Sequence, residues 1–261
     1  MKKVAFLLIA ICISGVGFSQ TNEPPLTKKQ LRKQNQNKIL RQEEEGVITH
    51  LKHFAGGPKL TTDGYGGFIE IGRAKTTTKS LLFQLEITEV KHSKEIKQQL
   101  IFSSSNPVIY GKVNFFYPVK IGVQQQLLLG NKGNKNGVSV TANLGGGISL
   151  GLLRPYLINV YENGTEKYIS YADDSALFLN PSAYVSGPGF GKGWGKMKFT
   201  PGIYIKPAVR FDYGKFNEMI NALEVGATLE FYSKKIPQMV FSKQEQLFFS
   251  GYIALIFGKR K

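Results

Sequence analysis

Ala222-Leu-Glu-Val-Gly-Ala-Thr-Leu-Glu-Phe231 changes polarity at every second residue. Leu223, Val225, Ala227, Leu229 and Phe231 share one parity; Glu224, Gly226, Thr228 and Glu230 share the other. Alternate side chains of an extended chain point to opposite faces, so the segment is a strand with one apolar and one polar face. Four other stretches carry the same period. Leu81, Phe83, Leu85 and Ile87 alternate with Gln84 and Glu86, and Phe115 to Val123 with Lys120 and Gln124. Val138 to Leu150 alternates with Ser139, Thr141 and Asn143, and Ile203 to Phe211 with Lys206 and Arg210. Residues 65–74, 155–163 and 246–258 carry weaker versions.

These segments predict an all-β fold, an antiparallel up-and-down transmembrane β-barrel of about eight strands, with ten as the upper alternative. The strands are placed near 65–74, 80–90, 114–129, 137–150, 155–163, 198–212, 220–234 and 246–258. Even-numbered apolar residues run on from Val138 past Leu152 to Val160. One strand of that length would reach roughly 75 Å, so a turn is expected at Gly151-Leu-Leu-Arg-Pro155. Alternation alone leaves open whether the apolar face meets lipid or the core of a soluble, ligand-holding barrel. A polar face rich in charge and Gly, with aromatics near strand ends (Phe115, Tyr117, Phe211, Tyr213, Phe231, Tyr232, Phe257), favours lipid.

The flanking sequence fits export. Met1-Lys2-Lys3 is basic, Val4 to Ile13 apolar, and Gly15, Gly17 and Ser19 small, which is the pattern of a cleaved signal peptide over 1–19. Cys12, the single cysteine, lies inside that segment, so the mature chain is expected to lack thiols, disulfides and cysteine metal sites. Residues 20–64 are expected to form a periplasmic extension, polar through Glu43-Glu44-Glu45-Gly46 and capped by Thr27 where it turns helical. Residues 65–261 form the barrel. With an even strand number both termini are periplasmic, and the connections at 130–136, 164–197 and 235–245 face outward. The 91–113 connection then falls on the periplasmic side, where so long a loop is unusual. The formal charge of +16 in an exported chain points to outer-membrane lipid or lipopolysaccharide, or to protein partners in an envelope complex, rather than to nucleic acid.

On the lumen face Glu70, Glu86, Glu224 and Glu230 are expected with Lys120, Lys206 and Arg210. The interior of a small barrel is just filled by side chains, so such charges must pair. A paired-charge plug is the structural reading and a narrow polar pore the functional one. The 198–212 and 220–234 strands should form a hairpin whose opposed residue numbers sum to roughly 432, with a bend near Lys215–Phe216. That places Glu224 diagonally between Lys206 and Arg210.

Catalytic and metal chemistry find little support. Gly187-Pro-Gly-Phe-Gly-Lys-Gly-Trp-Gly-Lys196 lacks the spacing of a phosphate-binding loop, since Ser186 and Gly193 stand where Gly and Ser or Thr are needed. It is instead a basic outer loop carrying Lys192, Trp194 and Lys196. His50 and His53 lack a nearby carboxylate or thiolate in sequence, so no metal and no cofactor is expected. His92-Ser93 and Asp173-Asp174 do not make a triad, and no catalytic residue is assigned.

Lys59-Leu-Thr-Thr-Asp-Gly-Tyr-Gly66, Gly146-Gly-Ile-Ser-Leu-Gly-Leu-Leu-Arg-Pro-Tyr156, Gly189-Phe-Gly-Lys-Gly-Trp-Gly195, Arg210-Phe-Asp-Tyr-Gly-Lys-Phe-Asn-Glu218, Phe231-Tyr-Ser-Lys-Lys-Ile-Pro237 and Phe257-Gly-Lys-Arg-Lys261 resemble a family of small outer-membrane β-barrel proteins of Bacteroidota. The resemblance spans nearly all of 59–261. It implies an outer-membrane barrel, and it implies no activity and supplies no catalytic residue. The functional expectation is a structural or interaction role, including that of an accessory subunit of a secretion or assembly complex. The alternatives are a lipid-modifying enzyme, such as a lipid A acyl hydrolase, and a small pore.

Overall fold

The computed structural model describes Gln30, Gln34 and residues 52–99, 106–132, 137–214 and 219–260. The expected signal peptide, most of the expected extension, His50 and the expected bend near 215–216 lie outside the described residues. Gln30 and Gln34 are helical.

Eight strands close into one antiparallel barrel. They are β1 (Lys52–Thr61), β2 (Gly64–Ala74), β3 (Lys79–Val90), β6 (Asn114–Gly130), β7 (Ser139–Pro155), β11 (Lys198–Asp212), β12 (Met219–Ile236) and β13 (Glu245–Arg260). Each pairs with its neighbour along the chain, and β1 closes the ring by pairing with β2 on one side and β13 on the other. No helix among the described residues is long and apolar enough to cross a membrane.

Two strand assignments change. β1 lies inside the stretch expected to be extension, so the barrel begins at Lys52, not at residue 65. Its outward row is Phe54, Gly56, Pro58 and Leu60, and two small or imino residues in four hide the period. Both glycines are needed for close approach. A Cβ on Gly57 would stand 1.9 Å from the Leu255 carbonyl oxygen of β13, and one on Gly56 2.7 Å from the Phe68 carbonyl oxygen of β2.

The other change is at 151–163. β7 runs unbroken through Gly151 to Pro155, so there is no turn there. Gly151 makes room for rings: a Cβ would lie 2.9 Å from the Phe116 ring and 3.0 Å from the Tyr232 ring. β8 (Ile158–Glu162) has left the barrel and joins β9 (Thr165–Ile169) and β10 (Tyr184–Ser186) in a three-stranded sheet ordered β10-β8-β9. Asn163 (φ 51°) and Gly164 (φ 81°) form the two-residue turn between β8 and β9, where positive φ favours such residues.

The extra strand at the front reverses the ends of the connections before β7, and the loss of the expected strand at 155–163 leaves those after it as expected. The termini of the barrel and the connections 75–78, 131–138 and 213–218 share one end. The turn at 62–63 and the long connections 91–113, 156–197 and 237–244 share the other. The turn signal at 131–137 is therefore on the terminal side, and the long 91–113 connection joins the other long loops.

Those long loops fold together. β4 (Lys97–Gln98) pairs with β5 (Val108–Ile109). Val108, Ile109, Tyr156, Ile158, Val160, Ile169, Phe178 and Met239 bury one another in a separate apolar cluster above the barrel. The short helix Ser175–Phe178 is capped by Asp174, whose carboxylate accepts from the Leu177 amide. Tyr156 accepts the Ile109 amide at 2.8 Å, and Gln238 accepts the Val113 amide on its carbonyl at 2.8 Å.

Candidate functional site

The barrel has an apolar outside and a charged inside. Outward rows expose Ile71, Phe83, Ile121, Ile148, Ile203 and Ile253, among many others. The opposite parity buries Glu70, Glu86, Lys120, Lys206, Arg210, Glu224 and Glu230, all seven residues expected in the lumen. β1 adds Lys59, which lies outside the expected barrel and was therefore missed. Its shared parity with Ala55 and Gly57, opposite to Phe54 and Leu60, is the signal that could have found it.

These eight side chains form two linked groups. Arg210 holds Glu70 through two parallel bonds, Nη1 to Oε1 at 2.7 Å and Nη2 to Oε2 at 2.8 Å. It also donates through Nε and Nη2 to Glu224 Oε2 at 2.9 and 2.7 Å. The planar guanidinium suits this fork geometry, which an ammonium could not match. Glu86 gathers three ammonium groups: Lys59 at 2.7 Å, Lys120 at 3.1 Å and Lys206 at 3.3 Å. Lys120 reaches on to Glu230 at 2.5 Å, and Lys206 joins the groups at 3.8 Å from Glu224. Four cations face four carboxylates, so the cluster carries no formal net charge.

Neutral donors complete the shell. Tyr252 donates to Glu224 at 2.8 Å, Asn143 to the same carboxylate at 2.9 Å, and Tyr232 to Glu230 at 2.5 Å. Lys206 donates to Gln84 at 2.5 Å, and Lys59 stands 3.7 Å over the Tyr252 ring. A buried charge is costly unless paired and hydrogen-bonded, and this arrangement meets both conditions.

The register of β11 on β12 differs from expectation by two residues. Opposed numbers sum to 434, so Arg210 faces Glu224 itself rather than Ala222, and Ala208 rather than Lys206 faces Gly226. The shift of two preserves the faces, since side-chain direction repeats every two residues.

Toward the loops the lumen is stopped by rings. Phe116, Tyr232 and Phe248 lie with centroids 5.3–5.8 Å apart, packed with Val90, Leu153 and Ile236. Toward the termini it opens into a cavity of about 90 Å³ lined by His53, Thr76, Ser80, Thr141, Arg210 and Asp212, among others. His53 Nε2 is 3.5 Å from Glu70. Lys132 and Arg260 both pair with Asp212 at this mouth.

The basic loop is built around Arg154, a residue sequence reading did not single out. Arg154 lies buried on the outer wall, donating to the Phe190 carbonyl at 2.6 Å, the Lys192 carbonyl at 3.3 Å and the Tyr117 hydroxyl at 3.2 Å. Its guanidinium stands 4.1–5.7 Å from the rings of Phe115, Tyr117, Phe190 and Trp194. Trp194 stacks on Tyr117 at 5.8 Å. Lys192 lies 4.7 Å over Tyr168, and Lys196 is 3.8 Å from Asp173. The loop is pinned to the barrel at the wall, not free.

The pairs considered for catalysis have structural partners. Asp173 accepts from the Ser170 amide and hydroxyl at 3.0 and 2.8 Å, and those bonds hold its carboxyl below the usual range. Asp174 caps a helix. His92 is at the loop end, contrary to the expected topology, and lines a pocket of about 240 Å³ with Asp63, Lys243 and Glu245. Its Nδ1 accepts the Lys94 amide at 3.1 Å, and its own amide bonds Glu95 at 3.1 Å. Lys112 is lowered by burial beneath the cap, with Glu95 at 2.6 Å opposing that shift. Among the described residues no group of three or more His, Cys, Asp or Glu could hold a metal.

Comparison with known proteins finds no matching family model and no matching curated protein. Among solved structures the chain is similar to the crystal structure of Neisserial surface protein A, with 11% identity, 80% of this chain and 95% of that chain covered, and a TM-score of 0.37. It is similar to the N-terminal β-barrel domain of Pseudomonas aeruginosa OprF at 9% identity, 80% and 98% coverage and a TM-score of 0.36. It is similar also to Ail, the attachment invasion locus protein of Yersinia pestis, at 9% identity, 82% and 100% coverage and a TM-score of 0.37.

Proposed function

We infer that this chain is an integral outer-membrane barrel with a structural or interaction role, which holds a folded cap of loops on the outer side of the membrane. The observation that carries this reading is the inversion of a soluble protein: an apolar belt outside and a neutralised charge cluster within. An exposed apolar surface of that extent, on every barrel strand, is stable only against lipid or a partner. A closed barrel leaves no backbone group unpaired in the bilayer.

The lumen favours a plug over a pore. The Arg210 and Glu86 groups fill its middle and three aromatic rings fill its loop end, in a barrel whose interior side chains just fit. The cap has its own apolar cluster and short sheet, more order than a mere connection requires. A preformed surface of this kind suits a protein partner in an envelope complex, with lipid or lipopolysaccharide as the surrounding contact. The enzyme alternative has less support, because Asp173, Asp174 and His92 hold turns and a helix end.

The test combines fractionation with conductance. The mature chain should sediment with outer membranes, resist carbonate extraction and run faster unboiled than boiled. In planar bilayers it should give no steady channel. Release as a soluble protein would refute the membrane reading, and a steady ohmic conductance would refute the plug.

A further inference from the structure

The outward rows do not end alike around the barrel. On four adjacent strands each row passes from an apolar residue to a cation at the terminal end: Phe257 to Lys259 on β13, Phe54 to Lys52 on β1, Ile71 to Arg73 on β2, and Leu81 to Lys79 on β3. Lys52, Arg73, Lys79 and Lys259 are all exposed. On the other four strands the described residues near the ends of the rows, Leu129, Val138, Tyr213 and Met219, are exposed and uncharged. Among the described residues the four cations thus make an arc on adjacent strands immediately beyond the apolar belt.

Two further facts mark this arc. Lys52 and Arg73 are directly opposed cross-strand partners, where like charges are unfavourable. Among the described residues none of the four makes an ion pair, whereas Lys132 and Arg260 of the same rim share Asp212. The arc stands where a headgroup would when its tails lie along Phe54, Ile71 and Phe257.

We propose that this arc is a binding site for the phosphodiester headgroup of an anionic phospholipid in the leaflet on the side of the chain termini. The proposal rests on the membrane reading above. The lipid's tails cover the apolar belt of β13, β1, β2 and β3, and its phosphate supplies the counter-charge that the Lys52–Arg73 pair lacks. Cations near an anionic surface strengthen attachment by about fivefold each, screened by salt.

The experiment purifies the full chain in detergent, adds phosphatidylglycerol or phosphatidylcholine, and counts retained lipids by native mass spectrometry. Native protein should retain phosphatidylglycerol in preference to phosphatidylcholine. Lys52→Gln with Arg73→Gln should lose most of that preference and keep the boiled-to-unboiled gel shift. Lys94→Gln with Lys97→Gln, at the loop end, should keep the preference. Equal retention of the two lipids, or a preference untouched by the Lys52 and Arg73 changes, would overturn the site. So would a preference that emerges only after Glu43, Glu44 and Glu45 become Gln, which would make the chain's own acidic run the occupant, or retention of an acidic protein in place of lipid. Failure to enter bilayers at all would count against the membrane reading instead.

Discussion

Arg210 is the side chain on which the lumen depends most. It bridges Glu70 and Glu224, and among the described residues the other basic side chain near Glu70 is His53, with Nε2 at 3.5 Å. Removing a partner from a buried pair is expensive, about 3–5 kcal/mol, because the remaining charge is stranded. Arg210→Met takes both guanidinium bonds from Glu70 and leaves Glu224 with Lys206 at 3.8 Å and the Tyr252 and Asn143 donors. Glu224→Gln strands neither cation, since Arg210 keeps Glu70 and Lys206 keeps Gln84 and Glu86. Reversible unfolding from lipid vesicles should therefore show a markedly greater loss for Arg210→Met than for Glu224→Gln. The double variant should cost less than the sum, by roughly 0.5–3 kcal/mol. Equal single costs with strict additivity would mean that the fork is not formed. Seven members of this cluster were legible in the sequence because parity alone assigns a face. Their partners were not, because pairing across the lumen depends on which strands are opposite. That is how Lys120 meets Glu230, 110 positions away. Arg154 was illegible for another reason: it sits on the apolar face, and only the loop that folds over it makes that burial tolerable.

Strand β1 shows where period reading fails. Gly56, Gly57 and Pro58 are residues that sheets usually confine to edges or special positions, so the stretch resembles a linker. Here the glycines admit neighbouring carbonyls at distances no Cβ would allow. In 151–163 the error runs the other way, because Gly151 is the lumen floor under Phe116 and Tyr232 rather than a turn. The expected strand number survived because one missed strand and one false strand offset each other, yet the connections before β7 changed ends, while those after it kept theirs. The boundary has a direct consequence. A chain beginning at Lys52 behind a signal peptide should still yield a barrel with a boiled-to-unboiled gel shift, because β1 can pair with both β2 and β13. A chain beginning at Gly64 should not, since β2 and β13 would each present an open edge. Retention of the shift by the shorter chain would remove β1 from the barrel.

At the scale of the whole molecule the corrected order of strands gives the two ends different characters. One end has short connections, the termini and the cationic arc. The other has every long connection, folded over a common apolar cluster and pinned by Arg154. Such an asymmetry is what a membrane imposes on a barrel with short turns on the side of its termini and longer loops outside. The measurement that tests this most directly is surface labelling in intact cells. Cys12 is the only cysteine, and with it replaced by Ser the introduced cysteines provide unique probes. Lys97→Cys and Lys167→Cys, in the folded loops, should react with a membrane-impermeant maleimide on whole cells. Lys75→Cys, in the connection on the terminal side, should react only after lysis. Labelling of Lys75→Cys in intact cells while the loop positions stay protected, or protection of all three until the envelope is opened, would contradict the account.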